Sequence, residues 1–212
     1  MRISELSRRS GVPLSAVKYY QREGLLPEGV RSAPNQVDYG DAHVHRVRLI
    51  RALLETGGLS VAATKEVIAA LDSEDAPLAE TFRVAQHAMS RAAESAPSEA
   101  ARQRIAMLAR SQGWEVTDDN PGIDAAARAL DGLNAIGFDA PDPYLDAYAA
   151  AAATAAAADL RALSSLATPD QVAELMVVGT ILGDPLFAGL RRLAQQDVTR
   201  TLFPDDAKRA PS

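Results

Sequence analysis

Hydrophobic positions along the first seventy residues recur at helical spacing between short breaks, and the breaks carry the expected punctuation. Ser4 is placed to cap a short helix carrying Leu6, and Gly11-Val12-Pro13 should stop it, because Gly and Pro both disfavour continuation. A second helix starts near Leu14 or Ser15 and ends at Gly24, so the pair reads as a helix-turn-helix. Pro27 to Gly40 is turn-rich, with Val37 and Tyr39 in alternation, and suits a small β-hairpin, or wing. From Asp41 the helical period returns: Val44, Val47, Ile50, Leu53 and Leu54 form one stripe, Glu55 to Ser60 breaks it, and Ser60 caps a fourth helix carrying Val61, Val67, Ile68 and Leu71.

Asp72 to Pro77 is polar and acidic and reads as a linker. Beyond it, Leu78, Phe82, Ala85, Met89, Ala92 and Ala96 fall at alternating spacings of four and three, the seam of a helix packed lengthwise on another. The rest is also helical. Asn120-Pro121, Asp142-Pro143, Thr168-Pro169 and Asp184-Pro185 each set a capping side chain before a proline suited to the first helical turn, and an apolar period follows each pair. Gly137 and Gly183 stand where C-terminal caps belong. The predicted fold class is therefore mainly all-α, with a β-wing in its N-terminal part. Its divisions are a winged helix-turn-helix domain over 1–71, a linker and long helix over 72–97, an α-helical C-terminal domain over 98–203, and a flexible tail over 204–212.

Composition narrows the chemistry. The chain has no cysteine, so disulfides, thiolate metal sites and thiol nucleophiles are excluded. Its start has no signal-peptide pattern, and its longest apolar run, Leu175 to Leu182, is short of the roughly 20 residues of a membrane span, so a cytoplasmic protein with no membrane partner is expected. Charge is unevenly distributed: residues 1–71 hold ten Lys/Arg against seven Asp/Glu, or +3, which leaves −9 for the remainder of a chain of net −6. A basic module on an acidic body is a pattern of nucleic-acid partners.

On the second helix Ser15, Lys18, Tyr19 and Arg22 stand at i, i+3, i+4 and i+7, one polar and basic edge, while Val17, Tyr20 and Gly24 fall on another face. The adjacent tyrosines thus point apart: Tyr19 outward with two cations, Tyr20 at least partly inward. Such an edge supplies what a phosphate-lined groove needs, charge to displace counterions and neutral donors to fix register. A solvated face of an ordinary helical pair is the plainer reading; the helix-turn-helix and wing around it favour DNA.

The run from Ile3 to Pro27, the short wing, and Tyr39 to Leu71 together resemble the DNA-binding domain of the mercury-resistance regulator (MerR) family of bacterial transcription factors. The resemblance covers residues 1–71. It implies a winged helix-turn-helix and a long antiparallel coiled-coil dimerisation helix. It also implies a homodimer that binds and distorts double-stranded promoter DNA for RNA polymerase. By position it assigns DNA contacts to Lys18, Tyr19 and Tyr20, and to Arg31 and Ser32 at the wing. Arg46 and Arg48 on the third helix are further backbone contacts or plain solvated surface. The seam of Leu78, Phe82, Ala85, Met89 and Ala92 lies where the family keeps its dimer helix.

No nucleophile–base pair or phosphate loop is present, and no cofactor or enzymatic activity is expected. Without cysteine, the family's thiolate metal and redox sensing is excluded, and the three histidines do not converge on a metal. A hydrophobic organic effector remains, with Trp114, Phe138, Tyr144 and Tyr148 as candidate walls of a ligand cavity; core packing is the other use for these rings. Two alternatives stay open: an effector-independent regulator whose C-terminal domain binds another protein, and a helix-turn-helix that serves protein interaction.

Overall fold

Leu6, Val17, Leu25, Ile50 and Leu53, each with at most 1% of its surface exposed, are the centre around which the N-terminal half is built. A computed structural model gives this arrangement and describes residues 1–33, 36–73, 77–90 and 96–203. Helices α1 (Ile3–Ser10) and α2 (Leu14–Arg22) form the helix-turn-helix, and strands β1 (Val30–Ala33) and β2 (Gln36–Asp38) pair antiparallel as the wing. Helix α3 (Asp41–Arg51) runs into a π-helical turn over Ala52–Thr56, and α4 (Val61–Leu71) follows. Gly11, at φ 72°, ends α1 in the left-handed conformation that glycine adopts without steric cost. Ser60 caps α4 by accepting from the Ala63 N–H at 3.1 Å. Ser4 does not cap: α1 begins two residues earlier than such a cap would set it, with Arg2 at the N-cap and no side-chain hydrogen bond.

The remaining helices are α5 (Leu78–Ser90), α6 (Glu99–Ser111), α7 (Pro121–Ala135), α8 (Asp142–Leu163) and α9 (Pro169–Leu202). A second, smaller core of Ala101, Ala127, Leu130, Ala140 and Leu145 joins α6, α7 and α8. Ser98 ties α6 to α7: its backbone N–H and its hydroxyl both donate to the Asp131 carboxylate, each at 2.7 Å.

Helix α9 departs most from the sequence expectation. Asp184-Pro185 does not start a new helix; Pro185 lies inside one helix of 34 residues, and Gly183 takes no left-handed φ and caps nothing. Its first half belongs to the N-terminal core through Val177 and Ile181, each 1% exposed, and Glu174 accepts from His45 of α3 at 2.8 Å. Its second half is bare: Leu186, Leu190, Leu193 and Leu202 are between 55% and 66% exposed rather than forming a core stripe. By length and hydropathy α9 alone among the described residues would suffice to cross a membrane, where the run Leu175 to Leu182 had suggested none. The packing of Val177 and Ile181, and the charges of Asp184, Arg191, Arg192, Asp197 and Arg200, fit a helix of the folded body instead.

The α5 seam also differs. Ala85 is fully enclosed by the chain itself, and Met89, half-buried, packs against the N-terminal core. Phe82 is half-buried and Leu78 is 43% exposed. Ala92 and the tail 204–212 lie outside the described residues. The physical reason is packing within the chain: α4, α7 and α9 lie against α5.

Candidate functional site

The N-terminal ten cations divide evenly, and the division draws a surface. Arg8, Arg9, Arg46, Arg51 and Lys65 pair with Glu5, Asp41, Asp72, Glu55 and Glu23 respectively. Arg2, Lys18, Arg22, Arg31 and Arg48 have no carboxylate partner among the described residues. Lys18 and Arg22 stand with Ser15 on the exposed edge of α2, and Arg31 is exposed on β1. Tyr19 is half-buried on that edge, with the Arg22 guanidinium 5.8 Å from its ring centroid.

Several expected contacts do other work. Tyr20, 3% exposed, is a core residue; burial and then the charge of Glu55 push its phenol above the ordinary value. Arg46 is half-buried against Asp72, which removes it from the outer face. Arg48 donates to the Arg9 carbonyl at 2.7 Å, and Arg51 to the Gly11 carbonyl at 3.0 Å. Both therefore complement the negative C-terminal end of α1 and hold the turn between α1 and α2. Ser32 lies in β1, and its side chain is outside the described residues.

The wing is fastened by residues that local pattern does not reveal. Gln21 of α2 donates to the Tyr39 hydroxyl at 2.6 Å. The Met1 ammonium donates to the Tyr39 carbonyl at 2.8 Å, and the Tyr39 N–H returns a bond to the Met1 carbonyl at 2.8 Å. At Gly29 a Cβ would stand 2.5 Å from the Asp38 carbonyl oxygen, so only glycine permits the strands to close there. These links set Arg31 at a fixed offset from Lys18 and Arg22.

A second candidate site lies among α6, α7, α8 and α9, a cavity of about 610 Å³. Trp114, Tyr144 and Tyr148 line it together with Leu108, Ile123 and Leu133. Phe138 is not on the wall; it backs Tyr144 edge-on at 5.5 Å between ring centroids. Phe187 and Arg191 of α9 are wall residues that sequence spacing does not single out. The bond that Tyr144 donates to Tyr148 at 3.1 Å, helped by desolvation, raises the Tyr144 phenol above its ordinary value and keeps it a neutral donor. Among the described residues no three His, Asp or Glu side chains converge on a metal position.

The geometry matches known proteins in the same place. Residues 1–71 fit the family described as MerR HTH family regulatory protein. Over 69 residues the chain is 41% identical to the HTH-type transcriptional regulator HmrR of Sinorhizobium medicae (strain WSM419). Over the same length it is 36% identical to the heavy metal-dependent transcription regulator 2 of Rhizobium meliloti (strain 1021). In both, the shared part is 32% of this chain and 46% of the relative, so the chain spans about half the length of the curated relatives it matches. The crystal structure of SCO5550 from Streptomyces coelicolor A3(2), described as a candidate transcriptional regulator, superposes with a TM-score of 0.71 at 28% identity, covering 96% of this chain and 98% of that one. The helix-turn-helix, the wing and the residues shared with these regulators make the N-terminal third of the chain, residues 1–71, a MerR-family helix-turn-helix domain.

Proposed function

We propose that the chain is a DNA-binding transcriptional regulator of the MerR type, acting as a cytoplasmic homodimer on promoter DNA. In this reading the α2 edge enters the major groove, the wing follows the adjacent backbone, and the distorted duplex is presented to RNA polymerase. The observation that carries it is the sorting of N-terminal cations. Those on α1, α3 and α4 are largely engaged with carboxylates, whereas Lys18, Arg22 and Arg31, on the recognition helix and wing, have no carboxylate partner among the described residues. The reading assigns no enzymatic step. The C-terminal region, 98–203, serves as effector domain, with the apolar cavity as its ligand site.

The test is binding of the full chain to the DNA upstream of its own gene, measured against salt. Lys18→Ala with Arg22→Ala should weaken binding at least about tenfold at moderate salt and flatten the log–log salt slope by about 2. Unchanged affinity and slope would assign the helix-turn-helix to protein interaction instead.

A second copy is best served by α9, because the α5 seam is partly consumed inside the chain. The exposed apolar stripe of α9 is long enough for an isologous contact, and an antiparallel twin would set Leu186 against Leu202 and Leu190 against Val198. Leu78 and Phe82 would at most extend its rim. Leu190→Asp with Leu193→Asp should turn the dimer into a monomer in sedimentation, with helical content kept. If the unaltered chain is itself monomeric, the same stripe favours the alternative in which the C-terminal domain binds another protein.

A further inference from the structure

The cavity of about 610 Å³ is within the range that takes small organic molecules, and its walls are apolar in all but a few places. Asn120 is one exception, and its side-chain oxygen already accepts from the Gly122 N–H at 2.8 Å. The other lies on the α8–α9 side. There Arg191 donates to the Tyr148 hydroxyl oxygen at 2.5 Å, with its guanidinium carbon 5.3 Å from the Tyr148 ring centroid, and Tyr144 donates to the same oxygen at 3.1 Å. The Tyr148 oxygen thus accepts twice, and its own proton meets no acceptor among the described residues. Arg191 likewise meets no carboxylate among them. Among the described residues no Asp or Glu lines the cavity.

One side of an apolar chamber therefore presents a guanidinium with unused N–H groups and a phenolic O–H, all donors and one of them charged. We propose that the cavity takes an organic acid, its apolar body among Leu108, Ile123 and Leu133 and its carboxylate against Arg191 and Tyr148. A planar guanidinium matches a carboxylate with two parallel hydrogen bonds, and charge-assisted bonds are about twice as strong as neutral ones. A neutral alcohol of the same body would accept from one donor and gain no charge pairing. An organic cation would be repelled by Arg191 with no acidic residue to receive it. The assignment rests on the reading of the cavity as an effector site. It also gives that site an output: Phe187 and Arg191 stand on the same helix as Val177 and Ile181, which are built into the core of the DNA-binding domain.

Trp114, the only tryptophan, is on the cavity wall and reports occupancy directly. The full chain is titrated with octanoate, octan-1-ol and octylammonium while Trp114 emission is followed. Octanoate should bind roughly tenfold tighter than octan-1-ol, with octylammonium weakest. Arg191→Gln should bring octanoate down to the level of the alcohol and leave the alcohol within about twofold. Tyr148→Phe, a smaller change should Arg191→Gln fail to fold, should lose part of the preference. Equal binding of acid and alcohol, or a preference that survives both substitutions, overturns the organic-acid assignment and leaves the cavity standing. No response to any of the three probes overturns the cavity as an effector site, while the Lys18 and Arg22 test of DNA binding is unaffected.

Discussion

The N-terminal domain and the C-terminal helices use apolar residues in opposite ways. The first closes them around each other: Leu6, Val17, Ile50 and Leu53 leave almost no surface, while Lys18 and Arg22 stand on the exposed edge of α2. The second relies on alanines such as Ala127 and Ala140 for its closed core and leaves Trp114 and Tyr148 more than a third exposed around an open space. A reader of DNA needs side chains held at fixed spacing, and dense packing provides it. The ligand site proposed for the second needs room, and thin helices around a cavity would provide it. Helix α9 belongs to both.

The contrast can be broken or sharpened by substitution, beginning where the effect should be largest. Leu53→Ala removes a fully buried side chain from the dense core and should cost about 2–5 kcal/mol, read as a large drop in denaturation midpoint. Leu145→Ala, on the cavity wall, should cost clearly less, since one side of that leucine already faces open space. Equal losses would end the distinction between a packed scaffold and a hollow domain.

Gly57→Ala probes the junction. A Cβ there would stand 2.4 Å from Ile181 of α9 and 2.8 Å from the Leu53 carbonyl oxygen. It should destabilise by about 1–3 kcal/mol and, if α9 couples the halves, alter Trp114 emission at a distance. Gln21→Met removes the donor to Tyr39 and should cost about 1 kcal/mol, with DNA affinity falling while the salt slope stays the same, because no phosphate contact is lost.

The smallest effect is expected at Asp184, beside Pro185. Desolvation raises its carboxyl above the ordinary value although the residue as a whole is solvent-accessible, so screening keeps the consequence slight. A raised carboxyl favours the neutral form in the folded chain, so its contribution is intact at low pH and lost as pH rises through its folded value. Asp184→Asn should therefore raise the melting temperature by about 1 °C at neutral pH, and the two proteins should converge in acid.

Much of this was open to reading from order and spacing. The opposite orientations of Tyr19 and Tyr20 follow from the 100° turn between successive helical residues, and Tyr20 indeed lies in the core while Tyr19 shares the edge with Lys18 and Arg22. Gly11, Ser60, Asn120, Thr168 and Gly137 stop or start helices as their chemistry requires. Asp184-Pro185 misleads for an equally local reason: a proline suited to a first turn can also sit within a helix whose flanking residues keep it going. The pairing of Arg46 with Asp72, the bond from Gln21 to Tyr39, and the meeting of Arg191 with Tyr148 join residues 26, 18 and 43 positions apart, and no periodicity encodes them.

Helix faces, the caps at Ser60, Asn120 and Thr168, the charge split and the family of the N-terminal domain are consequences of neighbours within a turn or two, where backbone geometry leaves few choices, so one dimension sufficed for them. Which apolar stripe finds a cover inside the chain and which stays bare was decided only by how α5 and α9 pack together on the N-terminal core. Burial is a long-range competition for shared space: it enclosed Ala85, left Leu190 in water, and brought a lone arginine to a tyrosine at the edge of a cavity.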